Sequence, residues 1–214
     1  VQPMTALRHF LLALQFFTRI PVTGRLAAWV GYSPAMLHAS SAHFPGVGWV
    51  VGGVAALVMA GALAWLPAGA LGALVAAVVG TIATVWSTGA FDEDGLADTA
   101  DGLGGWLTRE RALEIMKDSR IGSYGTVALL LALVLKVALL ALIAQRGAWP
   151  AAAALLAAHA LSRLAPLVVM RSLPYVSDAA HAKAKPIAEA VTGRGFGIGC
   201  LWSIPALALI WQAQ

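Results

Sequence analysis

The residues best equipped for chemistry in this 214-residue chain stand in one run, Phe91-Asp92-Glu93-Asp94-Gly95-Leu96-Ala97-Asp98-Thr99-Ala100-Asp101-Gly102. Asp92 to Asp101 holds five carboxylates and no base. On an α-helix Asp94, Asp98 and Asp101 are spaced i, i+4, i+7 and share one face. Three carboxylates on one face repel one another unless a cation neutralises them. Hard oxygen ligands of this kind suit Mg²⁺, which takes one or two protein carboxylates together with phosphate oxygens and water. Glu93 is an additional ligand or supports one. Leu96, Ala97 and Ala100 point elsewhere and can pack. The Gly102-Leu103-Gly104-Gly105 run then breaks the helix. A second helix is expected from a Thr108 N-cap. Its third position is Arg111 rather than Glu or Gln, so the capping box is incomplete. Glu114 and Asp118 share a face of that helix, where either can complete a metal site or orient a nucleophile. Lys117 and Arg120 supply positive charge for a diphosphate. The two helices are expected to form a hairpin with acidic faces turned toward each other. A merely solvated loop is the bland reading, and its mixed signs fit the second half better than the first.

The elements that position these groups are membrane spans. Apolar residues make up 60% of the chain and charged residues 11%, with a mean hydropathy of +0.80. A soluble domain carries about 25% charged residues. The balance excludes a soluble globular enzyme, a disordered chain and a nucleic-acid reader, so the pI near 9.6 reflects membrane orientation. Cys200, the single cysteine, precludes an intramolecular disulfide and a multi-cysteine metal site. The fold class is an all-α, polytopic membrane helix bundle with a cytoplasmic acidic helical hairpin, forming one integral membrane domain over 1–214. Stretches long enough to cross a bilayer, roughly 20 residues each, run over 44–66, 68–91, 124–144, 148–170 and 195–211. An interfacial amphipathic helix is expected over 5–18, ended by Arg19-Ile20-Pro21. No N-terminal signal peptide is expected.

If the five spans alternate, Arg8, Arg19, Arg25, Arg109, Arg111, Lys117, Arg120, Arg171, Lys183, Lys185 and Arg194 fall on one side. Only Arg146 falls on the other. The positive-inside rule assigns the N-terminus and both long loops, which hold all ten acidic residues, to the cytoplasm. The spans are rich in glycine, and Gly48 and Gly52 form a GxxxG pattern that lets helices approach closely. Arg163 lies inside span four and is expected to face the bundle interior near a substrate cavity. Lys136 lies mid-span, with a backbone carbonyl or His159 as the expected structural partner. Thr18 and Arg19 can reach a phosphate at the cytoplasmic surface. His38, His43, His159 and His181 are isolated in the sequence and are read as non-catalytic. Trp29, Trp49, Trp65, Trp86, Trp106 and Trp149 are read mostly as an interfacial aromatic belt.

The acidic segment resembles the cobalamin synthase family, the adenosylcobinamide-GDP ribazoletransferases. The likeness rests on Asp94-Gly95-Leu96-Ala97-Asp98-Thr99-Ala100-Asp101-Gly102 and on Leu113-Glu114-Ile115-Met116-Lys117-Asp118-Ser119-Arg120-Ile121-Gly122-Ser123-Tyr124-Gly125. Phe17-Thr18-Arg19-Ile20-Pro21, Phe44-Pro45-Gly46-Val47-Gly48 and Ser162-Arg163-Leu164-Ala165-Pro166 support it. The chain departs at Asp92, where the family usually has His. The family pattern also continues with a Gly-Gln-Thr-Gly-Asp-like motif that falls beyond these residues.

The resemblance implies a Mg²⁺-dependent transferase in the bacterial cytoplasmic (inner) membrane, with its site facing the cytoplasm. It would join adenosylcobinamide-GDP to α-ribazole or its 5′-phosphate and release GMP. Its product is adenosylcobalamin or its 5′-phosphate. Glu93, Asp94, Asp98 and Asp101 would hold the metal. Asp101, Glu114, Lys117, Asp118 and Arg120 would serve catalysis, and Arg19 and Arg163 would contact bound substrate. The expected partners are those substrates and the lipid bilayer, with no nucleic acid; a homo-oligomer is among the states left open. Two other readings compete. A CDP-alcohol phosphotransferase would need Ala-Arg where Asp98-Thr99 stands. A cation-binding transporter would need acids inside the spans, where the sequence places none.

Overall fold

The computed structural model describes residues 3–105, 107–176, 187 and 190–212. Its elements are α1 (Pro3–Phe17), α2 (Gly24–Val30), α3 (Pro34–Ser40), a 3-10 turn (Ser41–His43), α4 (Phe44–Trp65), α5 (Ala70–Thr88), α6 (Phe91–Leu103), α7 (Arg109–Ile115), α8 (Ser123–Ala144), α9 (Ala148–Ser162), α10 (Ala165–Ser172) and α11 (Gly193–Gln212). The described residues contain no strand. Five helical stretches are long and apolar enough to cross a membrane: Pro34–Trp65, Ala70–Thr88, Ser123–Ala144, Ala148–Ser172 and Gly193–Gln212. The chain is a multi-pass helical bundle of the kind the hydropathy predicts.

Small residues decide which helices touch. α4 packs most extensively on α9 and next on α5. At Gly48 an added Cβ would overlap the His159 carbonyl and stand 2.7 Å from the Ala160 Cα. The GxxxG pair is therefore the seam against α9, where removing side chains lets two backbones meet. The core between α4, α5, α8 and α9 is mostly alanine, with Met59, Leu140 and Leu155 filling the larger gaps. The outer faces are apolar too. Leu131, Val134 and Leu135 on α8 and Leu71, Ile82 and Trp86 on α5 are exposed, the pattern of helices solvated by hydrocarbon. Trp65 and Trp149 are also exposed, as an aromatic belt requires. Trp49 is instead half-buried and donates its indole N–H to the Trp202 carbonyl at 2.9 Å, so it belongs to the packing. Trp106, His181, Lys183 and Lys185 lie outside the described residues.

α1 lies over the bundle as the expected amphipathic helix, burying Leu12, Ala13 and Leu14 and exposing Met4 and Leu7. Two boundaries differ from the sequence reading. The span expected over 68–91 ends at Thr88, because Gly89 and Ala90 both take left-handed backbone angles, φ 67° and 62°. The Ala90 N–H closes that turn on the Val85 carbonyl at 2.8 Å, and Phe91 opens α6 in a new direction. The span expected over 148–170 is interrupted at Arg163 and Leu164. Pro166 has no N–H to return to the Ser162 carbonyl, so the ladder breaks there. The Leu164 and Leu167 N–H groups instead bond three residues back, to Leu161 and Leu164, both at 3.0 Å.

Candidate functional site

The α5–α6 turn and the α9–α10 break bring opposite charges together. Asp92, Glu93 and Asp94 occupy the first turn of α6, where the helix dipole favours anions. Arg163 caps the C-terminus of α9, where it favours cations. Arg163 Nη2 donates to Asp92 Oδ2 at 2.6 Å; the Arg163 side chain is 8% exposed and that of Asp92 50%. Arg163 Nη1 also faces His159 Nδ1 at 3.1 Å and donates to the His159 carbonyl at 3.3 Å. Guanidinium only donates, so His159 Nδ1 must accept and its ring hydrogen sits on Nε2. Lys136 Nζ donates to Thr84 Oγ1 at 3.1 Å, rather than to a backbone carbonyl or His159. Glu93 Oε2 and Arg163 Nε are buried with no protein partner. Unpaired buried polar atoms are costly, and here they mark where a ligand would complete the set.

These residues line one cavity of about 670 Å³, closed elsewhere by aliphatic side chains of α8 and α9. That volume is in the range of pockets that take drug-sized ligands. The expectation that Arg163 faces the bundle interior beside a cavity holds.

The rest of α6 carries a second arrangement. Asp101 faces the start of α8 and accepts the Gly122 N–H on Oδ2 at 2.6 Å and the Gly125 N–H on Oδ1 at 2.8 Å. The contact exists because neither partner has a side chain: a Cβ at Gly122 or Gly125 would stand 2.8 or 2.9 Å from the Asp101 Cγ. One carboxylate thus satisfies two of the donors that a helix start leaves orphaned, and fixes α6 against α8. Asp98 sits on the same face with its acidity weakened. Burial first, then repulsion from Asp94 and Asp101, raises its pKa above the ordinary value. Asp94 is exposed.

α7 starts as the sequence predicts, with the Thr108 hydroxyl accepting the Arg111 N–H at 3.4 Å. It does pack on α6, but through Gly102 against Ala112 and Met116. The acidic faces are not turned toward each other. Glu114 pairs with Arg111 at 2.6 Å, and Asp118 with Arg120 at 2.5 Å. The Asp118–Arg120 hydrogen bond holds Asp118 down at about 2. Among the described residues no three His, Cys, Asp or Glu side chains gather tightly enough to cage a metal by themselves. Lys117 is exposed on the α7 side. Arg19 lies against Gly89 at the α5–α6 turn, with its backbone N–H on the Ser87 carbonyl at 2.7 Å.

With this geometry in view, the comparisons with known proteins are decisive. The profile of the cobalamin-5-phosphate synthase family matches residues 9–213. The chain belongs to that family. Among its curated relatives are three named adenosylcobinamide-GDP ribazoletransferase. The one from Polaromonas naphthalenivorans is 55% identical, over 95% of this chain and 77% of its own length. That from Leptothrix cholodnii is 50% identical, over 97% and 77%. That from Vibrio cholerae is 38% identical, over 96% and 75%. No solved structure matches the chain.

In this cobalamin-5-phosphate synthase family member, several cavity residues escaped the sequence reading. Asp92 reads in the sequence as one of five acids and as a departure from the family pattern, and Lys136, His159, Thr84 and Thr88 carry no site role there. One signal was available. Arg163 within a span demands a nearby anion, and Asp92 is the first acid beyond the span that ends at the same face.

Proposed function

We propose that this chain transfers α-ribazole or its 5′-phosphate to adenosylcobinamide-GDP, releasing GMP and forming adenosylcobalamin or its 5′-phosphate. The reaction takes place at the cytoplasmic face of the inner membrane. The family membership supports the chemistry. The observation that carries the site is the joining of acidic α6 to a membrane-level cavity through Asp92 and Arg163. In the transfer a free ribose hydroxyl of the acceptor, other than the 5′-position that stays phosphorylated in the 5′-phosphate product, forms a bond to the cobinamide-linked phosphorus and gives up its proton to solvent. The bridging P–O bond breaks, and its electron pair leaves with GMP. Such a transfer depends on positioning and charge neutralisation more than on covalent catalysis.

The donor set fits a divalent cation. Asp94 and Asp98 are i, i+4 on one helix face. Burial first, and then repulsion from Asp94 and Asp101, weakens Asp98's acidity, and a cation relieves the repulsion. Two carboxylates suffice for Mg²⁺, because phosphates and waters complete its shell. We assign Asp94 and Asp98 as its protein ligands, with Glu93 beside them at the cavity mouth; bound there, Mg²⁺ supplies charge neutralisation on the diphosphate. Asp101 positions α6 through its two backbone bonds. Arg163 binds and orients substrate from the cavity wall, and Lys117 offsets charge on departing GMP. Glu114, Asp118 and Arg120, engaged in exposed pairs, hold the α7 side in shape. Arg19 steadies the turn from which α6 leaves.

The test uses detergent-solubilised protein with adenosylcobinamide-GDP and α-ribazole, with and without Mg²⁺. The expected result is Mg²⁺-dependent GMP release together with a cobalamin product. Asp98→Asn is expected to lose at least a hundredfold in turnover with its thermal transition preserved. Near wild-type turnover in that variant would remove Asp98 from the site. Full turnover in EDTA would remove the metal.

A further inference from the structure

A second cavity, of about 380 Å³, lies where α1, α3, the 3-10 turn and the start of α11 meet. Its polar lining is three imidazoles, three hydroxyls and one guanidinium, from His9, His38, His43, Ser41, Thr192 and Arg194, with Thr5 at the rim and no acid among them. Thr192 caps the 20-residue α11, its hydroxyl accepting the Gly195 N–H at 3.1 Å. The N–H groups of the first turn, which a helix cannot satisfy internally, are presented at this end together with the positive pole of the dipole.

His43 is the independent pointer to a ligand. It is 6% exposed. Its Nδ1 takes the Trp202 indole hydrogen at 3.1 Å. Indole N–H can only donate, so Nδ1 carries the lone pair and the His43 hydrogen must sit on Nε2. That Nε2–H has no partner among the described residues, on a side chain that lines the cavity. His38 Nδ1, also at this cavity, is a buried atom without a partner. The His9 ring stands 6.4 Å from the His43 ring. One imidazole N–H without an acceptor, one arginine and one helix start ask for a single dense acceptor, the chemistry of a phosphate rather than of a cation or an apolar group.

The position suits a substrate. α1 carries His9 in this cavity and, two turns on, Phe16 and Phe17 against Phe91 at the start of α6. At 1.5 Å per residue His9 and Phe16 are about 10 Å apart along the helix. We propose that this cavity is a phosphate-monoester subsite, about two turns of α1 from the acidic helix. Both the phosphorylated acceptor and the GMP product carry the required group. Assigning the phosphate to either molecule rests on the proposed reaction; binding of phosphate itself does not.

The experiment is equilibrium dialysis of radiolabelled orthophosphate against the detergent-solubilised chain in EDTA, so that no metal-held phosphate contributes. Wild type and Asp98→Asn are expected to bind saturably and alike. Arg194→Gln, at an exposed position, and His43→Gln are expected to bind at least tenfold more weakly, with Arg194→Gln keeping its thermal transition. Displacement by α-ribazole 5′-phosphate but not by α-ribazole assigns the subsite to the acceptor; displacement by GMP assigns it to the nucleotide. No saturable binding in wild type, undiminished binding in Arg194→Gln, or displacement by neither molecule overturns the proposal. Asp98→Asn separates the two readings, since its turnover reports on the proposed metal site and its phosphate binding on the subsite alone.

Discussion

Asp101→Asn separates a positioning carboxylate from a metal ligand. In the structure Asp101 accepts two backbone N–H groups, from Gly122 at 2.6 Å and Gly125 at 2.8 Å. Hydrogen bonds to a charged group are each worth about 1.5–3 kcal/mol. The amide of Asn keeps one acceptor and turns two hydrogens toward the other N–H, so one bond is lost and the survivor is no longer charge-assisted. The favourable meeting of a carboxylate with the start of a 22-residue helix goes too. The expected destabilisation is about 2–4 kcal/mol. For a chain of this size each kcal/mol moves the midpoint by roughly 2–4 °C, so the transition should fall by about 4–16 °C. Gly125→Ala removes the same contact from the other side, because its Cβ would overlap the carboxylate. The double variant should therefore cost clearly less than the sum of the two singles. The assay is thermal unfolding in detergent at fixed scan rate, followed by tryptophan emission, with turnover measured on the same samples. An unchanged transition accompanied by lost turnover would refute the positioning account and return Asp101 to the metal site.

Other perturbations test the remaining contacts. Asp92→Asn leaves Arg163 buried without its counter-ion; truncating a buried pair costs about 3–5 kcal/mol. Because Asp92 is half-exposed, about 1–3 kcal/mol is expected, read as a lower thermal midpoint and not seen in Asp92→Asn combined with Arg163→Met. Gly48→Ala drives a Cβ into the His159 carbonyl. Overpacking of this kind costs about 1–3 kcal/mol, and a midpoint within a degree of wild type would show that α4 and α9 can separate freely. Arg120→Gln should lower the midpoint at neutral pH only slightly, since the pair it breaks is exposed and screened by solvent. Its main effect is on titration. Asp118, held at about 2 by Arg120 against an ordinary 3.8, contributes stability above the ordinary value that is lost as pH falls toward 2. In the variant carboxyl NMR should find Asp118 back near its ordinary range.

Much of this architecture is legible in composition and spacing, for definite reasons. Five spans can be counted because a bilayer demands about 20 apolar residues whatever packs beside them. Gly48 and Gly52 announce a close seam because only small residues permit one, though the sequence does not say that α9 is the partner. Thr108 caps α7 as its type suggests. What stayed hidden depends on contacts across long stretches of chain. Asp101 reads as one of three stacked carboxylates until Gly122 and Gly125, 21 and 24 residues on, claim its oxygens. His43 reads as isolated until Trp202, 159 residues away, fixes its tautomer. Asp92 and Arg163 are 71 residues apart. The turn is half legible, since Gly89 is an ordinary helix stop, but alanine seldom takes a left-handed angle, so the second step at Ala90 is not announced.

The position of that turn explains how the first acids of α6 come to line the cavity. Had α5 run on through Phe91 as a continuous helix, Asp92 and Glu93 would have carried on along its axis, away from Arg163 and Lys136. The double left-handed turn redirects the chain within two residues, so that α6 begins beside the broken end of α9. Two independent helix ends then meet, an acidic N-terminus and a basic C-terminus, and each dipole favours the charge it carries. The cavity wall holds two cations, Arg163 and Lys136, and two anions, Asp92 and Glu93. An apolar chamber can bear such charges only while they compensate one another. A phosphate entering with its own cation keeps that balance, whereas a bare phosphate or a bare cation upsets it. On the proposed reading, with a metal-bound diphosphate as the occupant, Lys136→Met should weaken binding of a Mg²⁺-nucleotide more than Lys136→Arg does. Equal loss in both variants would show that the charge at position 136 plays no part.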